Sequence, residues 1–146
     1  METKKFKEIF EENCRKLNLE KFKTSFFIES EDSIIFLILR KSGFSKKYYL
    51  RVKVALKPIE SNFEKAEFIK HDISEIFLSL ETESPEIFDL ENQLLDSERL
   101  IKMQSFFLKN VENWIKILSS KSLIIENFNK EKLSLLPYTK NKIGVE

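Results

Sequence analysis

Six consecutive apolar residues, Ile34-Ile35-Phe36-Leu37-Ile38-Leu39, constrain this chain more than any other stretch. Side chains of a strand alternate between its two faces, so a run without a polar alternate has to be covered on both sides or lie centrally in a sheet. Tyr48 to Lys57 reads differently. Tyr48, Leu50, Val52, Val54 and Leu56 point one way, and Tyr49, Arg51, Lys53, Ala55 and Lys57 the other, which predicts one packed face and one wet, positive face. The connection Lys41-Ser42-Gly43-Phe44-Ser45-Lys46 contains one of only two glycines and suits a hairpin turn with Gly43 at positive φ. The two strands are therefore expected to pair antiparallel. From Ser33 to Ile59 the chain carries seven basic residues, Arg40, Lys41, Lys46, Lys47, Arg51, Lys53 and Lys57, and no carboxylate.

That local bias is hidden in the total. The 146 residues have a formal net charge of +1, so nothing global draws the chain to nucleic acid or to a membrane surface. Counted by segment, residues 1–32 carry 7 basic and 8 acidic side chains, 33–59 carry 7 and none, 60–99 carry 3 and 12, and 100–146 carry 8 and 4. A hydrophobic fraction of 42% and a charged fraction of 34% are those of an ordinary globular domain, long enough to bury a core without metal or disulfide. Cys14 is the single cysteine, which rules out an internal disulfide and a multi-cysteine zinc site and fits a reducing compartment. The first residues lead into a charged amphipathic segment instead of an apolar one, and no run is long enough to span a bilayer. The expectation is a cytoplasmic protein without a membrane partner.

Along the chain, Thr3 can cap a first helix on which Phe6, Ile9, Phe10, Cys14 or Asn13, and Leu17 recur at helical spacing, ending near Asn18. Phe22 to Glu29 reads as a strand with Phe22, Thr24, Phe26 and Ile28 on one face. Residues 62–70 fit neither period, whereas Ile76, Leu78 and Leu80 alternate as a fourth strand. Ser84-Pro85-Glu86 is a helix start, and Asp96-Ser97 opens a longer helix whose apolar stripe is Leu100, Ile101, Met103, Phe107, Val111, Trp114, Ile115 and Leu118. A last helix fits Ser122 to Leu136, before Pro137. The predicted fold class is α+β: an N-terminal helix, an antiparallel meander of three to four strands, and C-terminal helices packed on one face, with Trp114 against the sheet. One domain over 1–136 is expected, with 137–146 as a flexible tail.

The first helix, Phe26-Phe27-Ile28, the apolar strand closing on Leu39-Arg40-Lys41-Ser42-Gly43, and the strand Tyr48-Tyr49-Leu50-Arg51-Val52 together resemble a bacterial family known as domain of unknown function 4304. The resemblance covers roughly residues 1–60. It implies a bacterial α+β fold and supplies no site residue, and small bacterial proteins of this kind include candidates for immunity proteins against toxins.

No motif carries a reaction. His71, the only histidine, lies near Glu67, Asp72 and Glu75 and could join a metal or general-base site on a helix, but one imidazole lacks the repeated ligand spacing of a metal motif, and an exposed histidine in an acidic loop is the favoured reading. Cys14 falls on an apolar helical stripe with no histidine near in sequence, which suits a small buried hydrophobe better than a nucleophile. Neither glycine belongs to a phosphate-cradling loop, and no cofactor is expected.

Charge leaves three readings. Glu81, Glu83, Glu86, Asp89 and Glu91 form a candidate acidic surface for a protein partner, and a strongly acidic patch can steer and orient a basic one. Arg40, Lys41, Lys46, Lys47, Arg51, Lys53 and Lys57, interleaved with Tyr49 and Phe44, form a candidate nucleic-acid-binding face, or simply a charged face that keeps the sheet soluble. Alternatively the two regions meet each other, within the chain or between copies. The leading expectation is a non-catalytic protein–protein interaction module of accessory or immunity type, with nucleic-acid binding through the hairpin as the alternative and an enzyme built on His71 ranked last.

Overall fold

The apolar run forms the middle of a strand that is covered on both sides. In the computed structural model, which describes residues 1–71, 74 and 76–144, it lies in β3 (Ser33–Lys41), with Ile35 and Leu37 in a large apolar cluster and Ile34, Phe36 and Ile38 in a smaller one on the opposite face. β3 is the middle of a five-stranded antiparallel meander in the order β1 (Glu20–Phe22), β2 (Ser25–Glu29), β3, β4 (Tyr48–Leu56), β5 (Ile76–Ser79). Together with helices before and after it, this is the α+β architecture expected.

The single strand expected over Phe22–Glu29 is instead two. Lys23, at φ 55°, and Thr24 form a tight turn that pairs Phe22 with Ser25. The turn reverses the face, so Phe22 joins Phe27 in the smaller cluster while Phe26 packs in the large one. The β3–β4 connection also differs, because Ser42 N donates to the Lys47 carbonyl at 2.8 Å across a loop long enough that Gly43 does not need positive φ. Of the two glycines, Gly144 alone takes it, at 81°.

The large cluster lies between the sheet and the helices. α1 (Thr3–Lys16) brings Phe6 onto Tyr48, ring centroids 5.0 Å apart, and Phe10 edge-on to Phe26 and Phe107 at 5.9 and 5.4 Å. After a 3₁₀ turn (Leu80–Glu83) and the one-turn α3 (Pro85–Phe88), a long helical segment runs as α4 (Asp96–Phe106), a π-helical stretch (Phe107–Val111) and α5 (Glu112–Leu118). The π stretch adds residues to the turn, which lets both Phe106 and Phe107 face the core and rotates α5 relative to α4. The stripe is accordingly Arg99, Met103, Phe106, Phe107, Val111 and Leu118; Ile101 is exposed, and Trp114 is half-buried at the flank instead of seated on the sheet.

The turn between β2 and β3 is tied to the end of this helix. Ser33 Oγ donates to the Leu118 carbonyl at 2.6 Å, Ser30 Oγ to that of Ser119 at 3.2 Å, and Asp32 accepts from Lys121 N at 2.9 Å. Two orphan carbonyls and an orphan amide are satisfied there, and α6 (Lys121–Asn129) starts with Ser120 as its N-cap. α6 is shorter than the expected Ser122–Leu136 helix; Leu133 and Leu135 come after it as buried residues outside regular structure. Where a tail without periodicity is expected, Pro137–Ile143 forms α7, with Thr139 and Ile143 buried and Gly144 as its left-handed C-terminal residue. Among the described residues no helix is long and apolar enough to cross a membrane.

Candidate functional site

The second face of the sheet is not uniformly wet. Residues 59–70, including α2 (Lys65–Lys70), fold over it, and Phe63, Phe68 and Ile69 pack against Phe36 and Ala55. Lys53 is thereby buried. Its Nζ donates to the Phe68 carbonyl at 2.5 Å and to the His71 carbonyl, placing a cation at the negative end of α2, 5.1 Å from the Phe68 ring. Arg40 Nη2 donates to the Ile69 carbonyl at 3.0 Å, and Lys57 pairs with Glu29 at 2.8 Å. The expected seven-cation surface is corrected accordingly: Arg40, Lys53 and Lys57 hold the cover and the neighbouring strand in place. Alternation identifies the outward side of β4 but cannot reveal that a later segment covers half of it.

The acidic candidates also make mostly internal contacts. The Glu81 carboxylate is buried and accepts from Leu50 N and Thr82 N at 3.0 and 3.1 Å; desolvation raises its pKa above the ordinary glutamate value, against the lowering effect of these bonds and of Arg51. Glu83 accepts from Asn110 Nδ2 at 3.0 Å and from Trp114 Nε1 at 3.2 Å. Glu86 accepts from Ser84 Oγ at 2.8 Å and lies 3.8 Å from Lys102, its pKa lowered chiefly by hydrogen bonding. Asp89 accepts from Glu91 N at 3.0 Å and forms a β-bridge with Lys47, while Glu91 accepts from Lys46 N at 3.0 Å. Each of these carboxylates has a partner within the chain, and Glu81, Glu86 and Asp89 line one pocket together with Lys47 and Tyr49. The basic hairpin and the acidic segment do meet within the chain, and the contacts run mainly through backbone amides.

What remains open is the part of β4 and β5 beyond the cover. Arg51 projects between two rings, with its guanidinium carbon 5.8 Å from the Tyr49 centroid and 5.3 Å from that of Phe77; Tyr49 is 42% exposed and Phe77 40%. The β4–β5 register produces this cluster, since Lys53 pairs with Phe77 and Arg51 with Ser79, putting all four on the same face. Arg51 Nε is buried without a hydrogen-bond partner among the described residues. Beyond Tyr49, the hairpin tip carries the fully exposed Phe44 and the exposed Lys41, Lys46 and Lys47. Phe77 escapes a reading based on charge, although alternation marks it as the outward residue between the inward Ile76 and Leu78.

His71 is exposed at the end of α2, 3.1 Å from Glu67, one turn away. Its other sequence neighbours, Asp72 and Glu75, lie outside the described residues, and among those described no group of three or more histidine, cysteine or acidic side chains could hold a metal. Cys14 is fully buried on α1, and desolvation raises its pKa far above that of an ordinary thiol, so a thiolate nucleophile is not formed there. Comparison with protein-family models, curated proteins and solved structures finds no match to this chain.

Proposed function

We propose that the chain is a non-catalytic protein-interaction module, of bacterial accessory or immunity type, that recognises its partner through Phe44, Tyr49, Arg51 and Phe77 and not through the acidic segment. The carrying observation is the arginine held between two partly exposed aromatic rings on an otherwise covered sheet. Aromatic side chains bring large area to an interface with little rotamer freedom to lose, and arginine brings a planar fork of donors that also stacks on rings. Lys41, Lys46 and Lys47 at the adjoining tip favour an acidic partner surface by steering its approach. Nucleic-acid binding is less well supported, since Arg40, Lys53 and Lys57 are engaged within the chain and Glu91 and Asp89 sit directly against the tip. The immunity-type role rests on the resemblance of residues 1–60 to domain of unknown function 4304.

Tagged protein is passed through its native lysate at low salt, with and without nuclease, beside the variants Tyr49→Ala, Phe77→Ala and Glu83→Gln. A nuclease-resistant partner lost from both aromatic variants and retained by Glu83→Gln supports the reading. Salt-labile, nuclease-sensitive material overturns it in favour of nucleic acid, and a partner lost only with Glu83→Gln returns the site to the acidic segment.

A further inference from the structure

A cleft of about 470 Å³ opens beside the cover, at the opposite end of β4 from the Tyr49–Arg51–Phe77 cluster. Its walls come from three separate parts of the chain: Ala55 and Leu56 at the end of β4, Ile59, Phe63 and Phe68 of the cover, and Leu136 with Tyr138 and Thr139 at the start of α7. The volume falls within the ~300–1,000 Å³ of small-molecule sites. Polarity is graded through it. The buried walls are mostly aliphatic and aromatic, with Ser74 and Thr139 among them, and Ser74 Oγ is already engaged with the Val54 backbone and the Ile76 carbonyl. The polar groups gather at the mouth, where Tyr138 Oη donates to Glu60 at 3.4 Å and Lys142 also lines the opening.

We propose that this cleft binds an amphipathic small molecule with an apolar body and an uncharged hydroxyl- or amide-type head. The apolar walls exclude a ligand that needs hydrogen bonds along its length, because its polar groups would be desolvated without partners. A mouth holding a carboxylate acceptor, a phenol and an ammonium donor accommodates a head that both donates and accepts. With Glu60 and Lys142 of opposite sign on the same lining, neither an anionic nor a cationic head finds a net complementary charge.

The test is titration of ¹⁵N-labelled protein with 1-octanol, followed by amide chemical shifts. Saturable shifts confined to residues 55–68 and 136–142 are expected at sub-millimolar octanol, abolished by Ala55→Phe, which fills the deep wall, and weakened at least fivefold by Tyr138→Ala. Leu136→Trp, on the exposed lip, serves the same purpose should Ala55→Phe not fold, and octanoate is expected to bind at least fivefold more weakly than octanol. Linear or scattered shifts, binding unaffected by the filling variant, tighter binding of octanoate, or shifts at these residues that depend on protein concentration without octanol would each overturn the proposal, the last by placing a second copy of the chain in the cleft.

Discussion

Arg99 is the most demanding residue in the fold, because a guanidinium with no exposed surface stands on α4 without an ion pair to a carboxylate among the described residues. Its Nη1 donates to the Glu86 and Ile87 carbonyls at 2.9 and 2.6 Å and its Nη2 to Asn92 Oδ1 at 2.6 Å, while Asn92 itself donates to the Glu86 carbonyl. The planar fork thus ties the end of α3 to the loop before α4. Arg99→Ala takes the Arg99 donor from the buried Ile87 carbonyl, removes one of two donors from the Glu86 carbonyl and from Asn92 Oδ1, and leaves a cavity, and the expected loss is about 2–4 kcal/mol by urea unfolding. Arg99→Lys restores charge without the fork and is expected to recover less than half of it. Glu81 gives a pH test of the opposite kind. Its folded pKa is raised above its unfolded one, so the folded state holds the extra proton between the two values, and stability from this group falls as pH rises through that window. Glu81→Gln should therefore gain stability relative to the parent chain as pH rises above the ordinary glutamate range. A difference that stays flat, or runs the other way, would mean that the amides of Leu50 and Thr82 outweigh desolvation. Neither residue was legible as structural from sequence: an arginine and a glutamate in a charged stretch read as surface until tertiary contacts bury them.

Elements were legible where one period persisted and obscure where the chain changed direction inside a run. α1, β3, β4 and β5 are readable in Phe6-Ile9-Phe10, the six-residue apolar run, the Tyr48–Leu56 alternation and Ile76-Leu78. The β1–β2 turn escaped because Lys23 has no glycine or asparagine to announce positive φ. The π stretch escaped because hydrophobic periodicity assumes 3.6 residues per turn, and that error placed Trp114 on the sheet. With Trp114 half-buried and bonded to Glu83, Trp114→Ala is expected to cost about 1–2 kcal/mol, below the ~3–5 kcal/mol of a fully buried aromatic. α7 escaped because only Thr139 and Ile143 of its seven residues are buried, too few to set a stripe. Ile143→Ala should nonetheless destabilise by about 2–3 kcal/mol in the same unfolding assay, since Ile143 packs in the large cluster with Leu133 and Leu135. A loss below about 0.5 kcal/mol would mean that α7 does not contribute to the core.

At the scale of the molecule, one sheet separates two unequal layers. The helical side contains most of the buried apolar residues, whereas the other side is closed by a segment whose six-residue helix has no fully buried residue. Both proposed surfaces border that thin layer: the Tyr49–Arg51–Phe77 cluster at one end and the cleft at the other. Regions with few buried contacts open at free energies well below global unfolding, so amides of α2 should exchange by local opening while those of β3 exchange only when the whole domain unfolds. Lys53 is the principal tie between the layers, since it binds the carbonyls at the end of α2 from within β4. Lys53→Met retains much of the aliphatic length and removes those bonds. Native-state hydrogen exchange of this variant is expected to show at least tenfold lower protection across Lys65–Lys70, with β3 protection reduced only by the change in global stability. Equal loss in both elements would show that sheet and cover unfold as one cooperative unit; the thin layer would then be as rigid as the core, and the cleft beside it would be a fixed feature of the folded sheet.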